Sequence, residues 1–487
     1  MKPSIIALGA ACTLILGLSP GLGPAAGREN YSLKTKRAPG TLDRVEVVLE
    51  VDGDLKVPDP GGGKAPKRPP LKAKASLTYE EKTLDSPAKA GQSIRAIRRY
   101  EKAEATIQVG EDQLRPTLRE ERRLIASQID GAQATLFSPS GTLTREELDL
   151  IDLPANSLLL DAFLPDNPVA LNDTWKHPDW LLAALCGLDA IASNDTQSVL
   201  QLVSDGVARI EMSGGVEGIA DGLPTSIDLK AKYRFDMKTG RIARFALDLK
   251  ENRTAGPVGP GLDVTARLQI DVSTPEKPVH LTEAALQDLK LTPTPALTRL
   301  EHKSGAGGWA LSHDRRWLII HDTQDAILLR MVDAGDYVAQ CNVSLGSEPS
   351  TGSGLSLAKF QDDIRQALGK SFGRIARAEE SKSEGGIRVY RVVVQGEAQQ
   401  IPIQWIYYRL VDRRARQMVF AFTVKQDLVG RFGEADAELV HGLRFADPKV
   451  ASKPGPAADG KLPERPRPVG ESEGPEDGGG AAAQKKD

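Results

Sequence analysis

The sequence predicts an α+β protein. Its N-terminal part reads as a long-stranded, curved antiparallel sheet with two or more short helices, and its C-terminal part as an antiparallel sheet with packed helices. Three observations carry this. Before residue 292 the apolar residues recur with period two over unusually long runs. After residue 308 strand-like runs alternate with a helical step of three and four. Between these regions, residues 292–308 hold Thr-Pro-Thr-Pro and Ser-Gly-Ala-Gly-Gly, the composition of a connection.

The chain begins with Lys2, an apolar run from Ile5 to Leu18, and small residues at 23–27. That is the pattern of a cleavable export signal over residues 1–26, and the run is too short to span a bilayer. Cys12 does not make a lipidation site, because Gly9 stands three places before it and the apolar run continues beyond it. Export is therefore expected, to the periplasm or the cell exterior, with a soluble mature protein.

Residues 40–275 form the first domain. Val45, Val47, Leu49 and Val51 alternate with polar residues, as do Leu71, Ala73, Ala75, Leu77 and Tyr79. The same alternation returns at 227–237, 243–249 and 262–272, with a turn at Lys238-Thr239-Gly240. Sheets with one apolar and one solvated face read this way. Between the first two strands, residues 56–74 hold eight Pro or Gly and six Lys or Arg, a solvated basic loop. Arg95, Arg98 and Arg99, and residues 119–123, mix bases with acids and read as a solvated strand face. Thr144 and Glu147 have the spacing of a capping box opening a helix. Pro178 and Asp179 start a second helix through Leu188.

Residues 276–305 read as a helix and linker, and residues 306–448 as the second domain. Its strands are expected at 317–320, 326–332, 337–345, 387–394, 402–411 and 417–424. Ser356 caps a helix on which Leu357, Phe360, Ile364 and Leu368 share a face, and another helix covers about 427–441. Residues 449–487 carry little apolar bulk and are expected to be disordered.

Composition narrows the function. The 487 residues include 63 Lys+Arg and 66 Asp+Glu, a formal charge of −3, so no basic excess exists to neutralise phosphates. Nucleic acid is not an expected partner. Three cysteines and six histidines, widely scattered, describe neither a disulfide scaffold nor a zinc module. Cys186 and Cys341 lie in apolar runs and read as buried small hydrophobes, though an oxidising compartment permits their pairing.

The run Pro402-Ile403-Gln404-Trp405-Ile406-Tyr407-Tyr408, the turn Asp412-Arg413-Arg414, the strand 418–423 and the ending Gly442-Leu443-Arg444-Phe445 give residues 306–448 a pattern. It resembles the PsbP-like α/β/α sandwich. That resemblance implies a binding or assembly module and no active site. The N-terminal region, by strand length, alternation and interrupting helices, resembles the half-barrel of LolA/LppX-like lipoprotein carriers, which implies a sheet wrapped around an apolar cavity. Residues 164–169 before Asn172-Asp173-Thr174-Trp175 make the chain similar to planctomycete-type exported proteins, a family without assigned chemistry.

Two motifs invite chemistry. Gly369-Lys370-Ser371-Phe372-Gly373 matches G-x-S-x-G, but that elbow needs a strand before the serine and a helix after it, and here a helix is expected before it. His313-Asp314 and His321-Asp322 flank one strand too far apart to share a metal, and lack a third ligand. No cofactor or metal is expected.

The leading expectation is a non-enzymatic exported binding protein of the envelope. Its N-terminal sheet would hold an acyl or lipid-like ligand, or a partner segment, on Leu229, Tyr233, Phe235, Phe245, Leu247, Leu268 and Ile270. The C-terminal sandwich would dock an envelope protein. Lys64, Lys67, Arg68 and Lys72 would make a weak contact with an anionic surface. The alternatives are a structural or interaction protein with a filled core and no ligand, and, third, a serine hydrolase using Ser371.

Overall fold

The computed structural model describes residues 29–57, 67–85, 93–256, 259–305, 308–346, 356–383 and 385–446. The expected signal peptide and the tail 449–487 lie outside the described residues, as do residues 58–66 of the basic loop.

Two long hairpins and their neighbours build the N-terminal sheet. In order they are β1 (Leu42–Lys56), β2 (Pro70–Asp85), β3 (Ile94–Val109), β4 (Asp112–Leu114), β5 (Leu124–Asp130) and β6 (Gln133–Phe137). After a helical interlude come β7 (Thr174–Lys176), β8 (Ala190–Asn194), β9 (Gln197–Ser204), β10 (Val207–Ala220), β11 (Leu223–Asp236), β12 (Arg241–Arg253) and β13 (Gly261–Ser273). The order across the sheet is β6-β5-β3-β2-β1-β13-β12-β11-β10-β9-β7, with β4 on β3 and β8 on β10. Every pairing in it is antiparallel.

Register explains the clarity of the period-two pattern. One rung runs Ile210, Tyr233, Phe245, Ile270, Val47, Leu77, Ala103 across seven strands. All seven side chains are buried. Slipping any strand by one residue would expose its whole apolar set, so this face fixes the pairing.

The interlude packs on the sheet's apolar face. The Thr144 hydroxyl accepts from the Glu147 amide, and the Glu147 carboxylate accepts from the Thr144 amide, so the expected capping box opens α1 (Arg145–Ile151). Arg119 also holds Glu147 from two nitrogens at 2.6 Å. A 3-10 helix over Ser157–Phe163 follows, which period analysis did not distinguish within its short apolar run. Then α2 (Asp179–Cys186) begins after Pro178 and ends at Gly187, whose φ of 67° suits the left-handed cap, two residues earlier than expected. Leu150, Leu158, Leu160, Phe163, Leu181 and Leu185 from these pieces all join the sheet's apolar core.

The connection after β13 is not bare. Its one-turn helices are α3 (Glu283–Leu286) and α4 (Pro295–Thr298). The buried Glu80 carboxylate accepts from the amides of Val279, His280 and Leu281 at 2.7, 2.7 and 3.1 Å. Leu281, Leu286, Leu291 and Leu297 pack with Ile97, Ala126 and Phe137, giving this part of the sheet a second covered face.

The C-terminal part contains β14 (Leu300–Lys303), β15 (Trp309–His313), β16 (Trp317–Asp322), β17 (Ala326–Asp333) and β18 (Asp336–Leu345). After α5 (Leu357–Leu368) follow β19 (Phe372–Lys382), β20 (Arg388–Ala398), β21 (Ile401–Val411) and β22 (Gln417–Lys425). The chain ends with α6 (Val429–Phe432), α7 (Ala435–His441) and β23 (Leu443–Phe445). A seven-stranded antiparallel sheet, β16-β17-β18-β22-β21-β20-β19, lies beside a small sheet β14-β15-β23. Ser356 caps α5 as expected, and Phe360 and Ile364 bury against Tyr390, Val392 and Trp405. On the other face Phe432, Leu439, Val440 and Trp309 pack on Phe420, Phe422 and Tyr408. The single helix expected over 427–441 is broken at Gly433, whose φ of 58° ends α6.

Three expectations need correction. Arg98 is not on a solvated face: it is buried, because Glu81 on the neighbouring strand supplies its counter-charge. Residues 119–123 are not a strand either, since Glu120–Arg122 is a 3-10 turn. The basic loop 56–74 is shorter than expected, because Pro70 onward already belongs to β2.

Candidate functional site

The most site-like arrangement lies over the β19–β20–β21 end of the C-terminal sheet, under α7. Strand pairing sets Arg391 of β20 directly opposite Tyr408 of β21. The first turn of α7 brings Asp436 down onto both. Arg391 donates from Nε to the Tyr408 hydroxyl at 2.7 Å and from Nη2 to Asp436 Oδ2 at 2.8 Å. The Tyr408 hydroxyl donates to the same oxygen at 2.7 Å. Glu379 of β19 accepts from Arg391 Nη1 at 3.3 Å and from Arg377 at 2.7 Å.

Burial would lower the Arg391 pKa, but the Asp436 carboxylate and the Tyr408 hydroxyl hold it above its ordinary range. Burial pushes the Tyr408 phenol up, and the Asp436 charge adds to this. At neutral pH the guanidinium therefore stays charged and the phenol stays protonated, both bonded to Asp436 Oδ2. The cluster anchors α7 to the sheet and lines a cleft of about 640 Å³. Ile387, Val389, Leu410, Val440 and Leu443 make its apolar lining, and Arg377, Ser381, Lys382, Glu434 and His441 are among its polar residues. An apolar cleft with a few fixed polar groups is suited to recognition.

None of Arg391, Tyr408 or Asp436 was singled out as a site by sequence reasoning. They lie 17 and 45 positions from one another, and no motif spacing links them. Arg388 and Tyr390 stand on the same strand as Arg391, and Gln404, Tyr407 and Arg409 on the same strand as Tyr408, so residue type alone does not single out the pair.

The structure brings Leu229, Tyr233, Phe235, Phe245, Leu247, Leu268 and Ile270 together on one face, each 0–3% exposed. Phe163 of the 3-10 helix covers them, its ring 5.7 Å from Phe245, and its carbonyl accepts from the Tyr233 hydroxyl at 3.2 Å. Sequence reasoning also missed a buried relay here. His177 Nε2 lies 2.8 Å from Ser198 Oγ, which lies 2.8 Å from the Tyr233 hydroxyl. Burial lowers the His177 pKa to about 4.

Among the basic residues, Lys64 lies outside the described residues. Lys67 exchanges backbone hydrogen bonds with Val57, Arg68 meets Asp263 at 3.3 Å, and Lys72 meets Asp52 at 3.8 Å. Ser371 follows α5 and precedes β19, the reverse of the order a nucleophile elbow needs. His313 is buried with Nδ1 on the Asp314 carbonyl, while His321 is exposed. No group of three His, Cys, Asp or Glu residues fit to hold a metal occurs among the described residues. Cys186 and Cys341 are free and buried, in separate cores. Among the described residues no helix is long and apolar enough to cross a membrane.

No family model matches the chain, and no curated protein matches it. Solved structures give distant likenesses. The chain is similar to cyanobacterial PsbP from Synechocystis at 11% identity, over 30% of this chain and 92% of that one, with a TM-score of 0.25. It is similar to DynF of the dynemicin biosynthesis pathway of Micromonospora chersina at 10% identity, over 54% and 95%, with a TM-score of 0.15. It is similar to the translocator domain of the autotransporter NalP from Neisseria meningitidis at 6% identity, over 80% and 88%, with a TM-score of 0.12. Likenesses this distant assign no function to the chain.

Proposed function

We propose that the protein is an exported, non-enzymatic binding protein of the cell envelope, in which the C-terminal sandwich docks a partner through the cleft floored by Ile387, Val389 and Leu410. The N-terminal sheet, its apolar face covered by α1, the 3-10 helix and α2, serves as the scaffold. The observation that carries this reading is an apolar floor beside a charge cluster whose members are already bonded to one another. Such a cluster holds the cleft open without needing a ligand to neutralise it. The phenol is held protonated and the guanidinium is paired with Asp436 and Glu379, which suits binding better than proton transfer.

The test is photo-crosslinking from Ala437, on the cleft wall, in the native envelope. A discrete protein adduct that Val389→Arg abolishes, with the melting curve kept, supports the reading. No adduct, or one that Val389→Arg leaves intact, contradicts it.

A second reading keeps the acyl ligand on the N-terminal sheet. It is favoured by the small inner-face residues Ala73, Ala105 and Ala266, which remain only half-buried beyond the helical filling. A fluorescent fatty acid would then bind at tens of micromolar and be excluded by Ala266→Trp.

A further inference from the structure

β19 is the outermost strand of the seven-stranded sheet, and among the described residues no strand pairs with its outer edge. None of its eleven residues is fully buried. Arg377, Glu379, Ser381 and Lys382 of this strand line the cleft, so the free edge and the apolar floor are adjoining parts of one surface. An edge strand offers a row of unpaired N–H and C=O groups, which an added extended chain satisfies while its alternate side chains enter the neighbouring pocket.

Charge along the edge is uneven. Glu379 is matched by Arg377 and Arg391, and Glu380 lies 3.8 Å from Arg388. Lys382 has no ion-pair partner among the described residues, and Arg374 reaches only the neutral amide of Gln395 at 2.7 Å. Two cations are thus left without carboxylates. A second copy of this chain fits poorly as the added strand: antiparallel pairing centred on Ala378 would set Arg374 against Lys382.

We propose that an acidic, extended segment of a partner protein adds to β19 as a further strand. Its backbone bonds the free edge, an apolar side chain lies over Ile387, Val389 and Leu410, and its carboxylates, alternating to the other face, meet Lys382. This deepens the cleft reading and rests on it.

The experiment is fluorescence anisotropy with the purified full chain. The probes are a labelled peptide of about ten residues, enough for one long strand, alternating Val and Glu, its counterpart with Lys for Glu, and two versions N-methylated on odd or even residues. The Val/Glu peptide is expected to bind saturably, and the Lys peptide roughly tenfold more weakly. One of the two N-methylated peptides should lose roughly tenfold, because it cannot donate to the edge. Lys382→Glu should weaken the acidic peptide by roughly fivefold. Equal binding of both N-methylated peptides overturns strand addition, whereas the cleft reading stands or falls separately on crosslinking from Ala437. Failure to saturate by about 1 mM, or indifference to Lys382→Glu, overturns the proposal as well.

Discussion

Arg98 of β3 and Glu81 of β2 are cross-strand partners whose charges meet inside the protein, Nε to Oε2 at 2.7 Å, with 2% and 0% of their side-chain surfaces exposed. Arg37 reaches Glu81 and Asp43 at 3.3 Å each and Asp161 at 2.9 Å, and Arg241 stands 3.6 Å from Asp43. The Ser157 hydroxyl donates to Glu81 at 2.8 Å. Three cations and three anions thus join the N-terminal segment, β1, β2, β3, β12 and the 3-10 helix. Burial would raise the Glu81 pKa, but Arg98 and Arg37 bring it below the ordinary carboxylate range.

Removing one partner from such a network leaves a charge buried without compensation, at a cost of about 3–5 kcal/mol. Arg98→Met is expected to lower stability by that amount in urea denaturation. The double variant Glu81→Leu/Arg98→Met should recover part of the loss. An Arg98→Met protein as stable as the wild type would mean that the network does not brace the fold.

Two buried histidines contribute acid sensitivity. His177 and His313 are each lowered by burial from 6.5 to about 4. Between those values the unfolded chain binds more protons than the folded one, so stability is full above about pH 6.5 and falls as pH drops toward 4. The loss amounts to up to about 3 kcal/mol per histidine. Urea midpoints at pH 7, 5.5 and 4.5 should fall steadily, and His177→Gln/His313→Gln should flatten the trend even from a lower start. A slope unchanged by the double variant would assign the acid sensitivity elsewhere.

The two halves touch at hairpin tips. Gly222, between β10 and β11, has a φ of 74°, and a Cβ there would run into the Gly335 carbonyl between β17 and β18. Gly206, with a φ of 77°, has open space around it. Alanine at either site carries left-handed strain of about 1 kcal/mol or more. Only Gly222→Ala also pushes the tips apart, so it should destabilise more than Gly206→Ala and speed proteolysis near residue 335. Equal effects would show that the contact contributes nothing.

Much of the N-terminal sheet was legible because β1, β2, β11, β12 and β13 each alternate cleanly, one face apolar and one charged. β10 was hidden by Gly214, Gly215 and Gly218, which carry no side chain to mark a face. The buried face of β3 was hidden because Arg98 sits where an apolar residue would keep the period, which only its tertiary partner Glu81 explains. The capping box at Thr144 and the cap at Ser356 were readable because they are local. The cleft was not. Arg391, Tyr408 and Asp436 converge through strand register and a helix crossing, which pattern reading does not supply. β19 alternates poorly because neither of its faces is fully buried, so the strand that borders the cleft carried no strand signal.

Native mass spectrometry of the protein purified from its source cells, followed by lipid extraction, decides between a docking cleft and an acyl pocket. A complex with a polypeptide partner that Val389→Arg removes, and a protein free of acyl-chain mass, is the expected result. An acyl ligand that survives purification, or a partner complex indifferent to Val389→Arg, would contradict the docking role of the cleft.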